Sequence, residues 1–205
     1  MEINYEYVLN ENNYISSETV KKSIILGNMP LSPDKNFLKW RTRYNGNYKK
    51  TAAFTIDVAG SIYNHFNPKY SSTILNNVEL DKRNIVILLE NEGWLSETDE
   101  KNRFIDWVGH IYMRPDEVIK KKWRGQIHWA PYTENQIESA VKLVNKLCDE
   151  FTIKKFVIPH NTKVEDNENF EGIFYRSNLE KYYTDLSPAW PCENFKYKFE
   201  KNEKN

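Results

Sequence analysis

The sequence predicts an α/β domain with a mixed central β-sheet flanked by helices, and three segments carry this prediction. Residues 84–90 (NIVILLE) form a continuous apolar run, which is typical of a central strand buried on both faces. Residues 134–151 place apolar side chains on one helical face, and Thr133 with Gln136 matches a capping box at the start of that helix. Residues 22–26 (KSIIL) predict a short buried strand. Strands that alternate with helices favour a single α/β fold.

The remaining predicted elements are shorter. Residues 37–44 (FLKWRTRY) carry apolar groups at helical spacing and predict a helix. Residues 53–57 (AFTID) and 61–66 (SIYNHF) flank a glycine turn with alternating apolar residues, which is the pattern of a β-hairpin. Residues 116–123 predict another helix, and residues 155–158 (KFVI) predict a last strand before a long loop.

The length of 205 residues is typical of one domain, which we expect over residues 1–195. Residues 196–205 (KYKFEKNEKN) are expected to form a charged tail that frays. The polar stretch over residues 94–126 is expected to be irregular apart from its predicted helix.

Composition excludes several classes of partner. The chain has 29 Lys and Arg against 29 Asp and Glu, and because nucleic-acid binders usually carry a basic excess, we expect no nucleic-acid partner. No stretch approaches the ~20 apolar residues that span a bilayer, so we expect no membrane partner. The first residues do not show the basic region and apolar run of a signal peptide. We therefore expect synthesis in a cytoplasm, with virion assembly or lysis as routes out of the cell.

Histidine is the first candidate for catalytic or metal-binding chemistry. The chain has 4 histidines but no HExxH, GxSxG or phosphate-binding glycine loop. His160 follows a predicted strand, a position that often points into a site, and Asp185 lies further along the chain. An imidazole and a carboxylate can share a zinc ion, but a catalytic zinc needs three protein ligands. On spacing alone, structural roles for His160 and Asp185 are the stronger interpretation.

Four ordered motifs resemble one known family. Residues 52–70 (AAFTIDVAGSIYNHFNPKY) resemble the pattern HFTID-x-x-G-x-IYQ-x-FDPKY, and residues 84–95 (NIVILLENEGWL) contain a segment similar to SIGIELEN. Residues 156–162 (FVIPHNT) are similar to FIGHNT, and residues 183–190 (YTDLSPAW) to TDPSPAF. These motifs resemble the zinc-dependent N-acetylmuramoyl-L-alanine amidases of amidase type 2. The resemblance implies a peptidoglycan-recognition-like fold, a peptidoglycan partner, a zinc cofactor and cleavage between N-acetylmuramic acid and L-alanine.

The resemblance also implies a zinc site with three ligands, of which this sequence retains two. His160 matches the second ligand and Asp185 matches the third. The first ligand is a histidine after the opening strand, where this chain has Gly27 and Asn28. Glycine offers no side chain, and the neutral amide oxygen of Asn28 is a poor zinc ligand. The candidates for a substitute ligand are His65, His128, Glu90 and Glu92.

Other positions depart from the family pattern. Ala52 and Ala53 stand where the family often has Tyr or His, and Leu88 stands where some members have a glutamate general base. Tyr183 replaces a lysine that stabilises the oxyanion in other members. The substrate groove that the resemblance implies contains Asn28, Asn161 and Tyr183.

These departures favour a degenerate amidase without a cofactor. Losing a general base costs roughly 10²–10⁴ in rate, and losing an oxyanion donor costs roughly 10²–10³. We therefore expect a non-catalytic module that binds peptidoglycan or serves as a structural part of a virion, with peptidoglycan or other virion proteins as partners. The alternative is an active zinc amidase of the phage endolysin type, which the retained segment TDLSPAW (residues 184–190) favours.

Overall fold

The computed structural model describes residues 1–166 and 169–201. Its helices and strands, in chain order, are β1 (Ser23–Met29), α1 (Pro33–Thr42), β2 (Phe54–Ile56), β3 (Ile62–Asn64), α2 (Val78–Arg83), β4 (Asn84–Glu90), β5 (Trp94–Glu97), β6 (Phe104–Asp106), β7 (Ile119–Trp123), β8 (Gln126–Trp129), α3 (Glu134–Phe151), β9 (Gly172–Tyr175) and α4 (Cys192–Lys201). Short 3-10 helices cover Glu11–Asn13, Arg43–Gly46, Pro115–Glu117 and Arg176–Asn178.

The main sheet has five strands in the order β3-β2-β4-β1-β9. Strand β1 pairs in parallel with β4 and β9, β2 pairs in parallel with β4, and only β3 runs antiparallel to its neighbour β2. Strand β4 is central and its apolar residues are buried, as a strand covered on both faces requires. The predicted α/β fold with a mixed sheet is confirmed, and the predicted bounds of β4 match the observed strand.

Helix α3 covers the main sheet and also begins and ends where the sequence predicts. The capping box of Thr133 and Gln136 is formed, and the side chains of Ile137, Val141 and Val144 are buried. The helix packs against β2 and α4. Within the described residues, no helix combines the length and the apolar character needed to cross a bilayer.

A second sheet corrects the prediction for residues 94–126. Strands β5 to β8 form a four-stranded antiparallel sheet in the order β6-β5-β8-β7. The predicted helix over residues 116–123 is wrong, because most of this segment is strand β7. Ile119 and Trp123 flank three exposed lysines at a spacing that also fits one helical face. Lysines are common on edge strands because they block pairing with other chains.

The C-terminal region also differs from the predictions. Residues 155–158 do not form a strand; only Val157 makes a single bridge, to Ile173 of β9, and β9 takes the outer position in the sheet. Helix α4 (Cys192–Lys201) crosses the expected boundary at residue 195, and the expected tail is helical as far as residue 201. Phe199 is buried and holds this helix against the core. Residues 202–205 of the expected tail lie outside the described residues.

Candidate functional site

The candidate site lies at the carboxyl end of the main sheet, where β1, β4 and β9 end side by side. Parallel pairing places Gly27 of β1 opposite Leu88 of β4. Strand β9 ends at Tyr175 and leads directly into Arg176. Ligand sites of α/β proteins form at this edge, because the loops that follow parallel strands meet there.

Gly27 occupies a space that has no room for a side chain. A Cβ atom on Gly27 would lie 2.8 Å from Oδ2 of Asp185 and 3.0 Å from Cδ2 of Leu88. Both distances are shorter than the ~3.5–4.0 Å of an ordinary carbon contact. The carboxylate of Asp185, the expected third zinc ligand, thus lies in the space that the side chain of the first ligand would need at position 27. An imidazole at position 27 would have to displace Asp185.

The Asp185 carboxylate is held by groups of the chain itself. It accepts a hydrogen bond from the backbone N–H of Asn28 at 3.2 Å and faces Nη1 of Arg176 at 3.5 Å. The residue is only 8% exposed. Burial raises the pKa of Asp185, whereas Arg176 and the Asn28 N–H lower it. The charge that balances this buried carboxylate is therefore the guanidinium of Arg176.

Two arginines fix the loop that carries Asp185. The guanidinium of Arg176 lies 4.2 Å from the ring centroid of Tyr183, a cation–π contact. Arg124, in the turn between β7 and β8, donates to the carbonyl oxygens of Ser177 at 2.8 Å and Glu180 at 2.9 Å, and also to that of Tyr183. The second sheet thereby helps to position the candidate site.

His160 lies beside this loop, but its Nε2 atom already has a partner. Nε2 is 3.1 Å from the carbonyl oxygen of Leu186. A carbonyl only accepts hydrogen bonds, so Nε2 carries the proton and donates. Burial lowers the pKa of His160, which favours the neutral ring. The ring centroid of Trp123 is 5.0 Å away and covers one side of the imidazole.

These donors do not fit a catalytic zinc ion. In the described parts of the chain, no three His, Cys, Asp or Glu side chains are grouped so that they could hold a metal. Gly27 supplies no donor and the Asp185 carboxylate faces Arg176. His160 donates from Nε2 to Leu186, which leaves Nδ1 as its only ring atom with a lone pair, and one imidazole alone does not hold a catalytic zinc ion. A tetrahedral catalytic zinc needs three protein ligands and one open position.

The candidate substitute ligands have other partners or lie elsewhere. His65 is fully buried, with Nε2 2.8 Å from Oγ1 of Thr55 and Nδ1 2.8 Å from the carbonyl oxygen of Tyr7. His128 Nε2 lies 4.0 Å from Glu97 on the second sheet. The two glutamates, Glu90 and Glu92, line a neighbouring cavity.

A cavity of about 390 Å³ opens next to Asp185. Asn28 and Tyr183 both line it, whereas Asn161 accepts a hydrogen bond from Nε1 of Trp123 at 3.0 Å and lines a separate cavity. We refer to the cavity beside Asp185 as the groove. Its lining residues are Asn28, Pro30, Glu92, Gly93, Trp94, Trp107, Arg176, Tyr182, Tyr183, Thr184 and Asp185.

Sequence reasoning missed Arg176 and Arg124. Arg176 follows the short apolar segment Gly172–Tyr175, which is the signal that could have identified it as a residue at the end of a strand. Arg124 has no such signal, because its role depends on how the second sheet folds against the loop after β9.

Comparisons with known proteins agree with this fold. The structure is similar to the endolysine N-acetylmuramoyl-L-alanine amidase LysCS from Clostridium intestinale URNW, with a TM-score of 0.54 at 14% identity over 97% of this chain and 95% of that chain. It is also similar to PlyL, with a TM-score of 0.55 at 11% identity over 97% of each chain. AmiD from E. coli, solved with the substrate anhydro-N-acetylmuramic acid-L-Ala-D-gamma-Glu-L-Lys, gives a TM-score of 0.56 at 12% identity, covering 94% of this chain and 66% of that one.

The sequence comparison identifies the family directly. A search of curated proteins finds no match. The family model described as N-acetylmuramoyl-L-alanine amidase matches residues 22–169, which is most of the chain and includes β1, the hairpin, β4 and the segment that contains His160. The chain therefore belongs to the N-acetylmuramoyl-L-alanine amidase family.

Proposed function

We propose that this protein binds peptidoglycan through the amidase groove and does not hydrolyse it. The observation that carries the proposal is the Arg176–Asp185 pair beside Gly27. The family's third ligand is balanced by a guanidinium, and its oxygen fills the space of the first ligand. A guanidinium neutralises the carboxylate, but it is a fixed donor that neither polarises a substrate as a Lewis acid nor acidifies a bound water.

The neighbouring residues support the same interpretation. Leu88, at the position of a general base in some members, is buried and carries no titratable group. Tyr183, at the position of an oxyanion-stabilising lysine, has its ring covered by Arg176. The first metal ligand, the base and the oxyanion donor are each altered, and each of these losses lowers the rate of hydrolysis.

The groove retains features that suit a sugar-peptide ligand. Trp94, Trp107 and Tyr182 line it, and the last two are 53% and 72% exposed. Large exposed aromatic side chains beside a polar cavity mark a binding surface, since their flat faces pack against the C–H face of a sugar ring. AmiD carries a muramic acid peptide as its substrate, which supports peptidoglycan as the ligand class for this fold. Because LysCS is an endolysine, we further propose release of this protein at lysis.

The test combines a binding assay with a hydrolysis assay on one preparation. Purified sacculi and a muramoyl tripeptide are incubated with the protein in the presence of zinc. Bound protein is measured by co-sedimentation, and released stem peptide is measured by chromatography. Tyr182→Ala removes an exposed aromatic side chain from the groove. Tyr197→Ala is the matched control, because Tyr197 is 62% exposed on α4 and does not line the groove.

The proposal predicts co-sedimentation without peptide release, with weaker binding for Tyr182→Ala and unchanged binding for Tyr197→Ala. Release of stem peptide by the unmodified chain would show an active amidase and overturn the proposal. Absence of any co-sedimentation would overturn the binding role and favour a virion structural protein without cell-wall contact.

A further inference from the structure

A second cavity adjoins the groove and shares Pro30 and Glu92 with it. Its volume is about 400 Å³, and it lies between the start of α1, the end of β4 and the residues around β6. We refer to it as the side cavity. Its titratable lining residues are Lys35, Glu90, Glu92, Asp106, His110 and Tyr112. A ligand that fills the groove can therefore extend a chemical group into the side cavity past Glu92.

Tyr112 lines the side cavity, and its hydroxyl is buried in the cavity wall. Tyr112 is 4% exposed, and its hydroxyl has no hydrogen-bond partner within the described residues. Burial raises the pKa of Tyr112 to about 12, so the hydroxyl stays protonated at neutral pH. Buried polar groups in native proteins are nearly always satisfied, so an unpaired one next to a cavity points to a missing ligand atom.

Two glutamates give the side cavity an unbalanced negative charge. Over residues 1–166 and 169–201, no hydrogen-bond donor or cation contacts the side chain of Glu92. Within the described residues, the side chain of Glu90 accepts one hydrogen bond, from the Val58 N–H at 3.3 Å. Burial raises the pKa of Glu90, and the carboxylates of Asp57 and Glu92 add to this effect. A cation placed between the two glutamates would relieve both the repulsion and the desolvation.

The other charged groups of the side cavity do not supply that cation. Asp106 accepts from the backbone N–H groups of Val108 at 3.0 Å and His110 at 2.8 Å, and faces Nδ1 of His110 at 3.2 Å. Lys35 is exposed on α1 and forms no ion pair with Glu90 or Glu92 in the described structure. The Asp106–His110 pair therefore shapes the wall, and the two glutamates remain available to a ligand.

We infer that the side cavity binds a primary ammonium group of a ligand held in the groove, with Glu92 and Glu90 as acceptors and the Tyr112 hydroxyl as a further polar contact. This inference rests on the proposed function, because a groove that binds peptidoglycan would supply the ammonium group from a stem peptide with a free side-chain amine. A metal ion is the weaker occupant, because the described carboxylates and imidazoles form no group of three at metal-binding geometry. An ammonium group needs only two or three acceptors.

The experiment compares two forms of one probe by calorimetry. The first probe is a muramoyl tripeptide that ends in lysine with a free ε-amine, and the second is the same peptide with that amine acetylated. Both are titrated into the full chain and into Glu92→Gln and Tyr112→Phe. Glu6→Gln is the matched control, because Glu6 is exposed and lies outside both cavities. Thermal unfolding of each variant verifies that it is folded.

We expect acetylation to weaken binding to the unmodified chain about 10-fold, the effect of losing a charge-assisted hydrogen bond. Glu92→Gln should weaken binding of the free amine by a similar factor and leave binding of the acetylated probe unchanged. Tyr112→Phe should weaken binding of the free-amine probe less than Glu92→Gln does, and Glu6→Gln should change the binding of neither probe. Equal affinity of the unmodified chain for both probes overturns the inference while leaving the proposed function in place.

A small amine separates failure of the inference from failure of the proposed function. 1,5-Diaminopentane is titrated into the full chain, and the imidazole resonances of His110 are followed by NMR. A saturable shift that Glu92→Gln abolishes supports the side cavity as an ammonium site even if no muropeptide binds. If neither the amine nor the muropeptides bind, both the inference and the proposed function are wrong.

Discussion

Any residue larger than glycine at position 27 would place its Cβ atom 2.8 Å from Oδ2 of Asp185. This one contact links the missing first ligand at Gly27 to Asp185, which matches the third ligand of the family pattern. With no side chain at position 27, the carboxylate lies against β1 and accepts a hydrogen bond from the Asn28 N–H. Arg176 then supplies the counter-charge, because an isolated buried carboxylate is costly.

Removal of Arg176 should expose this dependence. Arg176→Ala leaves Asp185 buried without its cation, and we expect the free energy of unfolding to fall by about 2–4 kcal/mol. This is less than the largest losses seen for fully buried ion pairs, because the side chains of Arg176 and Asp185 both retain some exposure. Adding Asp185→Asn should recover part of the loss, since it removes the unpaired charge. Urea denaturation measures both effects.

The control is Arg103→Ala, which breaks the exposed Arg103–Glu100 pair. Exposed pairs contribute at most about 1 kcal/mol. If Arg176→Ala costs no more than Arg103→Ala, the Arg176–Asp185 pair does not hold the site together.

His65 predicts a pH dependence that is independent of the groove. Burial lowers its pKa from 6.5 to about 4 in the folded chain. The unfolded chain binds a proton at this residue below about pH 6.5, whereas the folded chain does so only near pH 4. The contribution of neutral His65 to the free energy of unfolding is therefore complete above pH 6.5. It falls by roughly 3 kcal/mol as the pH drops toward 4 and does not change further below that pH.

The measurement is the unfolding free energy of the unmodified chain and of His65→Gln between pH 7.5 and 4. Glutamine offers a donor and an acceptor to Tyr7 and Thr55 but binds no proton in this range. Subtracting the two curves cancels the other titrating groups. A difference that does not change with pH would mean that His65 titrates alike in both states.

Among the elements, α3 contacts both the turn between β2 and β3 and the end of β4 through its first residues. Its capping residue Thr133 accepts from the Gln136 N–H at 3.1 Å and donates to the carbonyl oxygen of Val58 at 2.7 Å. Gln136 Nε2 donates to the carbonyl oxygen of Glu90 at 2.8 Å. The start of α3 thus holds the turn between β2 and β3 and the end of β4, next to the side cavity.

Thr133→Ala should destabilise the chain by about 1–2 kcal/mol, because it removes the helix cap and the bond to Val58 together. Thr42→Ala is the control: Thr42 ends α1, and among the residues that the structure describes its exposed hydroxyl bonds to the Leu38 carbonyl of the same helix and to no other group. We expect less than about 0.5 kcal/mol for the control. Equal losses in chemical denaturation would show that the cap is not a tertiary contact.

At the scale of the whole molecule, the main sheet and its long helix follow from patterns that the sequence makes visible. The run NIVILLE has no polar residue between Asn84 and Glu90, and α3 has both a cap and one continuous apolar face. Such signals are local, so a single sequence contains them.

The second sheet and the Arg176–Asp185 pair depend on contacts between segments that a local sequence pattern does not reveal. Strand β7 places three exposed lysines between Ile119 and Trp123, and only its position at a sheet edge distinguishes it from a polar helix. The segment Gly172–Tyr175 is too short to outweigh its polar surroundings, so the position of Arg176 was missed. The retained His160 and Asp185 and the missing side chain at Gly27 were visible in the sequence, but the guanidinium beside Asp185 depends on how three separate segments fold together.

The most direct test of the central claim is native mass spectrometry of the chain purified without chelator and given a small excess of zinc. Because Arg176 balances Asp185 and no third donor stands at Gly27, we predict that the chain is detected free of specifically bound metal. A stable complex of one zinc ion per chain, lost in both His160→Ala and Asp185→Ala, would contradict the account.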